Sequence, residues 1–539
     1  MPKHQQNYFL SLCLCVSVVI VSSCSSKPTD PRSIIPADAL VYLETHDLGK
    51  AVGVIVNNPK LKEAATSLPD ISILEGMEMA IAVTGFETSE QVVTEENSVL
   101  NFQPRFVAVL ETHKWNFQVI GFVEEKLGLF ISEAYGGEAT LESSDKHGGK
   151  YFVWSGQDGR KAYALVIGSL IYFGNDESAI EKCLAVGRGE AESITKNHKV
   201  TTGERLAFGY VSPDGVAQIA NIAGISLAKQ SSEEGDVQSF IARVLPELLR
   251  NSLKEATWTA SVGEHGIADN YNIALNNEVS KVFSETFVPS GTKPDEKLTV
   301  ALPLAAASFT RYDLRDPQVA WRSVLLVPQK LTDQASGNIL LAFSSSLFEP
   351  YGIDDPEMFL SSIGPIIHTV KFDESGEKVL VIVSVKDAEK VKRSLAKEID
   401  FKKPPERTGN ADSWLSQDSD VRVIFDGTTL IVGEPLEAAT LAANFNNAFG
   451  KNHLYPLFAG STAASVTFAN DTAIALRIAD VLSERKPETA AIAAYSLTET
   501  RFNQNGIERR TVSDFGLIGT IISQFTTKRK IRRTNRLER

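Results

Sequence analysis

Cysteine is scarce: the 539 residues hold four, Cys13, Cys15, Cys24 and Cys183. Two of them lie in an N-terminal apolar run, so no disulfide framework is available and stability must come from an ordinary hydrophobic core. Long apolar runs are lacking as well. Tyr8 to Val21 and Phe515 to Phe525 both fall short of the roughly 20 residues a membrane-spanning helix needs. Positive charge is not in excess. The net charge of −13 argues against a general nucleic-acid binder, whose footprint would be basic. Catalytic signatures are missing too. The histidines (His4, His46, His113, His147, His198, His265, His368 and His453) form no H-E-x-x-H, and none accompanies a C-x-x-C, so a zinc site has no ligand set. No G-x-S-x-G elbow, no P-loop, no G-x-G-x-x-G after a strand and no calcium loop occurs. No cofactor is expected, and no catalytic or metal-binding residues are assigned.

What remains is weak as chemistry. Glu44 with Asp47, or Glu124 with Glu125, would make a glycosidase pair only at a suitable separation across a cleft; as they stand they read as solvated acids. Asp145, His147 and Asp158 have no convergent spacing and read as turn residues. Cys183, beside Ile180 and Leu184 on a helical face, reads as a small buried hydrophobe. Of Trp115, Trp154, Trp258, Trp321 and Trp414, any can line a sugar or lipid groove, but Trp258 alternates within a strand and reads as core.

The N-terminus carries an address. Lys3 precedes the apolar run, as in a secretory signal peptide. The run ends in Val21-Ser22-Ser23-Cys24, which resembles the bacterial lipobox: an aliphatic residue and two small ones ahead of a cysteine. The resemblance implies cleavage between Ser23 and Cys24 and acylation of Cys24, the one lipidation site assigned. Several acyl chains on one residue anchor stably. Ser25 follows, not Asp; in the Gram-negative lipoproteins that this resembles, that points to the outer membrane, on its periplasmic face. Residues 24–33 are Ser, Lys, Pro, Thr and Asp for the most part and read as a flexible tether. At the other end "KRKIRRTNRLER" is strongly basic. Lys528, Arg529, Lys530, Arg532 and Arg533 are either a solvated tail or a contact for anionic lipid headgroups.

Between the ends one plan occurs twice. "AYALVIGSLIYFGNDESAIEKCL" (162–184) matches "VRVIFDGTTLIVGEPLEAATLAA" (421–443): strand, turn, strand, Gly, helix, with Gly168 against Gly427 and Gly174 against Gly433. Asn175 or Asp176 caps the first helix, and Pro435 opens the second. "AFGYVSPDGVAQIA" (207–220) matches "SVTFANDTAIALRI" (465–478), with Ser212 and Asn470 as caps. "PADALVYLETHDLGKAVGVI" (36–55) matches "PLAAASFTRYDLRDPQVAWRSVL" (303–325), with Asp47-Leu48 and Asp313-Leu314 opening helices. Chain order is kept in all three pairs. Alternating strands such as "EMAIAVTGF" and "KVLVIVSV" predict one buried and one partly wet sheet face. The expected fold is α+β: two tandem, internally duplicated units, each a largely antiparallel sheet with helices packed on one face. The divisions are residues 1–23 (signal), 24–33 (tether), 34–289 (first unit), 298–525 (second unit) and 526–539 (basic tail), with "SGTKPDEK" (290–297) at the boundary.

The opening "IIPADALVYLETHDL", the strand-turn-strand-Gly-helix unit and the lipobox together resemble a family of bacterial secreted proteins and lipoproteins catalogued only as a domain of unknown function. The resemblance implies an extracytoplasmic α+β fold and carries over no functional residue. The expectation is therefore a lipid-anchored envelope protein that binds a hydrophobic ligand or a protein partner without catalysis, touching the membrane through acylated Cys24. The alternatives are a structural module of the envelope and a hydrolase of an envelope polymer.

Overall fold

The computed structural model describes residues 29–524, apart from 66–67, 93–97, 136–138, 197–204, 231–243, 245, 332–346, 409–410, 444–448 and 483–491. Cys24 and the basic residues Lys528, Arg529, Lys530, Arg532 and Arg533 lie outside the described residues. The chain divides into two compact units that are not consecutive stretches: Met1–Asp38 with Gly76–Ile81 and Arg105–Val200, and Ala39–Glu75 with Ala82–Pro104 and Thr201–Arg539. The architecture is α+β with extensive antiparallel sheet.

In unit 1 the ordered strands are β3 (Ser98–Glu111), β4 (Thr140–Lys146), β5 (Gly149–Ser155), β6 (Lys161–Ile167) and β7 (Leu170–Gly174), of which β3 begins in unit 2. They pair antiparallel in the order β3-β7-β6-β5-β4. On one face a helical stretch, Asn116–Phe122 continued by Gly128–Ala134 across a single π-turn, lays Val119, Val123 and Ile131 onto Phe152, Trp154, Ala164 and Val166. Gly128 lets the Trp154 ring approach, since a Cβ there would lie 3.4 Å from Nε1. The helix Glu177–Gly187, capped by Asp176 Oδ1 accepting from the Ser178 amide, buries Ile180, Cys183 and Leu184. Burial pushes the Cys183 thiol up to about 12, which keeps it a neutral packing group at neutral pH.

Unit 2 carries β1 (Val41–Thr45), β8 (Ala207–Val211), β9 (Leu253–Gly263), β10 (Gly266–Leu275), β11 (Ser308–Asp313), β12 (Ile363–Lys371), β13 (Val379–Val385), β14 (Glu406–Thr408), β15 (Ala411–Leu415), β16 (Arg422–Asp426), β17 (Thr429–Gly433), β18 (Ser465–Asn470), β19 (Tyr495–Asn503) and β20 (Gly506–Ser513). The remaining strand, β2 (Glu78–Val92), pairs with β3 as a long hairpin. One antiparallel series runs β1-β8-β9-β10. It joins through β10–β20 to β20-β19-β18-β11-β12-β13-β17-β16-β15-β14.

Two expectations are corrected here. Helices do not keep to one face. Leu380 and Ile382 of β13 pack with Ala438, Leu441 and Phe458 of helices Pro435–Ala443 and Tyr455–Gly460. Val381 and Val383, pointing the other way, pack with Phe359 and Val391 of helices Pro356–Ser362 and Ala388–Ser394. A run of five apolar residues leaves neither face fit for water, so both are covered. The second correction concerns Asp313. Asp47 does cap the helix Leu48–Val56, accepting from the Lys50 amide. Asp313 instead ends β11 buried, its Oδ1 accepting from the Ser290 amide at 2.8 Å and the Ser290 hydroxyl at 2.5 Å. The helix Pro317–Leu331 begins four residues later, where Asp316 accepts from the Val319 amide and Pro317 takes the first helical position.

The β10–β20 ladder generates a test. A Cβ on Gly506 would lie 2.1 Å from the Ile273 carbonyl oxygen, at a φ of 143°. Ladder backbone cannot step aside, so Gly506→Ala should cost about 3 kcal/mol. Gly427→Ala, with nothing within 4 Å and a φ of 58°, should lose about 1–2 kcal/mol from the left-handed backbone alone. Urea denaturation midpoints check the order of the two.

Candidate functional site

A cavity of about 240 Å³ lies on one face of β10, β18, β19 and β20, with the start of the helix Gly516–Ser523 along its wall. Cross-strand register sets a row of polar side chains, of which Thr467, Thr498, Thr511 and Asp269 line the cavity. Thr310, Thr467, Thr498 and Thr511 stand directly opposite one another on β11, β18, β19 and β20, and the next partner in the row is Asp269 on β10. Directly paired residues share a sheet face. The hydroxyls pair as Thr310 with Thr467 and Thr498 with Thr511, both at 2.9 Å.

Three carboxylates and one cation, Arg509, line the same space. Asp269 is 1% exposed and accepts from Trp258 Nε1 at 2.8 Å and the Leu517 amide at 3.0 Å. Burial holds its carboxyl above the usual range, against the pull of those two bonds. Asp471 is raised for the same reason, opposed by the Ser496 hydroxyl and helped by the neighbouring Asp514. Asp514 accepts from Lys60 Nζ at 2.8 Å and the Tyr495 amide at 3.1 Å. Burial pushes the Tyr271 phenol up to about 12. The cavity is smaller than the roughly 300–1,000 Å³ of drug-sized ligand pockets, and hydroxyls and carboxylates share its walls with Ile474, Phe515 and Leu517. Its volume suits a small solute and not a long acyl chain.

The other candidate residues are scattered, some bonded within the fold and some exposed. Glu44 is buried, accepting from the Tyr42 hydroxyl at 2.5 Å and from Arg205 at 2.8 Å. Asp47 is a helix cap. Glu124 and Glu125 are exposed on the π-turn. His147 and Asp145 sit at the exposed β4–β5 turn, and Asp158 binds Arg160 in the next one. Arg311, 1% exposed, donates to the Ser461 carbonyl at 2.6 Å. Burial first, and then Arg311, drive the paired His368 down to about 3. It is neutral at neutral pH and a poor match for general-base work there. Among the described residues no group of three His, Cys, Asp or Glu side chains is placed to hold a metal ion. Trp154 and Trp258 are core, Trp321 and Trp414 are half-buried against Phe348, Phe401 and Phe425, and Trp115 is exposed. The cavity residues belong to no motif; their one sequence signal is Thr and Ser at alternate positions of "YSLTET" and "RRTVS".

No family model and no curated protein matches this chain. Among solved structures, TP0453 in crystal forms I and III aligns at a TM-score of 0.24 and 10% identity, over 48% of this chain and 85–86% of the other. Crystal form IV aligns at 0.23 over 47% and 84%. Among the described residues no helix is long and apolar enough to cross a membrane.

Asp269 gives a test. An acid with a raised folded value holds a proton that the unfolded chain has released. Its contribution to stability therefore falls as pH climbs from the ordinary value of 3.8 to the folded one, and is level above that. Asp269→Asn should remove this descending step from the stability profile. It also leaves one of two donors unserved, at about 1–3 kcal/mol near neutral pH. Denaturation midpoints taken across pH 3–8 in both proteins check it; an unaltered acid slope excludes Asp269 as the carrier.

Proposed function

We propose that this chain is a lipid-anchored, extracytoplasmic module of a bacterial envelope, held on the periplasmic face of the outer membrane, that binds a partner and catalyses nothing. The observation that carries the reading is Val21-Ser22-Ser23-Cys24 at the end of a short apolar run, followed by a polar tether. The buried Glu44, Asp269 and Arg311 and the part-buried Asp514 lend support: each bonds to protein atoms and holds elements together. The small volume of the cavity favours a protein or surface partner over a bulky hydrophobic ligand.

We also infer that the body is an internal duplication. What supports this is strand order. Adding ten to each label turns β1-β8-β9-β10 into β11-β18-β19-β20, and β3-β7-β6-β5-β4 into β13-β17-β16-β15-β14. The paired glycines repeat as well. Gly168 and Gly427 turn their hairpins at φ of 63° and 58°. A Cβ on Gly174 or on Gly433 would meet the carbonyl oxygen of Phe106 or Val379, each at 2.2 Å.

Cys24→Ala should abolish acylation and move the protein from the membrane fraction to the soluble one. Metabolic labelling with an alkyne palmitate analogue, read beside fractionation, tests it. A variant that still takes up label, or wild-type protein whose leader is intact and whose Cys24 is bare by mass spectrometry, refutes the anchor.

A further inference from the structure

Large aromatic side chains are rarely left in water without a use. Trp115 is 63% exposed and Phe117 72% exposed, two residues apart in unit 1. They stand on a turn that is firmly built. Glu111, at the end of β3 and 1% exposed, accepts from the His113 amide at 2.8 Å and from the Ser169 hydroxyl at 2.9 Å. The Thr112 hydroxyl donates to the Ser169 carbonyl at 2.9 Å. His113 takes a left-handed φ of 53°, an uncommon conformation for a residue with a side chain. The Trp115 amide donates to Gln118 Oε1 at 3.2 Å, closing the turn onto the helix that follows. A buried carboxylate network thus holds an indole and a phenyl ring out into solvent, next to Lys114.

The N-terminal segment shows what lies nearby. The described chain enters through unit 1: the Ser193 hydroxyl donates to the Arg32 carbonyl at 3.2 Å, and Ile34 rests on Gly187. Cys24 stands six positions before Asp30, a leash of at most about 22 Å when extended. An acylated Cys24 therefore keeps unit 1 within one domain's width of the bilayer. Indole rings partition to the headgroup region, and a flanking lysine meets lipid phosphate.

We propose that the Trp115–Phe117 turn is a second, non-covalent membrane contact, inserting its rings into the phospholipid interface and orienting unit 1 on the surface to which Cys24 is tied. This rests on the anchor reading, and the two are tested apart. The mature chain from Ser25 onward, which has no acyl chain, is mixed with phosphatidylcholine vesicles, where a basic tail gains nothing from anionic lipid. The expected result is co-flotation that falls at least tenfold in the double variant Trp115→Ser/Phe117→Ser and is unchanged in Leu436→Ser, which removes an equally exposed side chain (68%) from unit 2. Matching thermal melts show that the variants fold. Equal flotation of the double variant and wild type, or no flotation by either, overturns the proposal. So does a protein dimer in light scattering that the double variant abolishes while flotation stays the same, since a second copy is then the occupant. Acylated Cys24 on a body indifferent to vesicles defeats this contact alone; bare Cys24 on a body that floats through Trp115 defeats the anchor alone.

Discussion

The β10–β20 ladder is the constraint on which unit 2 depends. Without it β10 and β20 would each be a long open edge offering unpaired backbone to any passing strand. With it the two strand series become one sheet. Eight residue pairs make the join, from Ile267 with Ser513 to Ala274 with Gly506. Its two ends repeat one device. A Cβ on Gly266 would lie 2.3 Å from the Ser513 carbonyl oxygen, and one on Gly506 would lie 2.1 Å from that of Ile273. Each glycine opens its strand, and each opposed carbonyl belongs to the eighth residue of the other. The central pair, Asn270 with Arg510, is the fifth residue of both. The same clearance is thus demanded twice, in reciprocal positions, as an association of like surfaces would require.

The ladder is fastened to what covers it. Asp269, on β10, holds Trp258 of the neighbouring strand with one oxygen and the start of the helix Gly516–Ser523 with the other. That helix packs in a cluster with Ile55, Ile478 and Phe515, so residues far apart in the chain close over one seam. Burying a carboxylate is costly, and two donors offset much of that cost. A cavity lies beside it. Threonines of the row and the bonded carboxylate at its end form one part of the wall, and Ile474, Phe515 and Leu517 form another.

How much of this was legible follows from distance along the chain. Local chemistry was: the hairpin glycines Gly168 and Gly427 and the caps Asp47, Asp176, Ser212 and Asn470 all read directly from short stretches. Asp313 misled because Asp-Leu looks like a cap at 313 as it does at 47, and only the remote Ser290 shows that its oxygen is already engaged. The double-sided burial of β13 was visible in "VLVIV" but was read as half of an alternating strand. The cavity had no local signal. Thr310 meets Thr467 across 157 positions, and such register is set by pairing and not by spacing.

The buried ionisable groups are held by their surroundings: burial takes the His368 imidazole to about 3 and the Cys183 thiol to about 12, and the carboxylates of the seam bond to tryptophan, backbone and lysine. These bonds tie strands and helices together. The described surface carries exposed side chains as well. On unit 1 that surface includes two aromatic rings braced outward by a carboxylate that solvent does not reach. A group that serves only packing gains nothing from such bracing. A rigid turn loses less backbone freedom on contact than a floppy one, so pre-organisation of this kind favours binding without adding a single new contact.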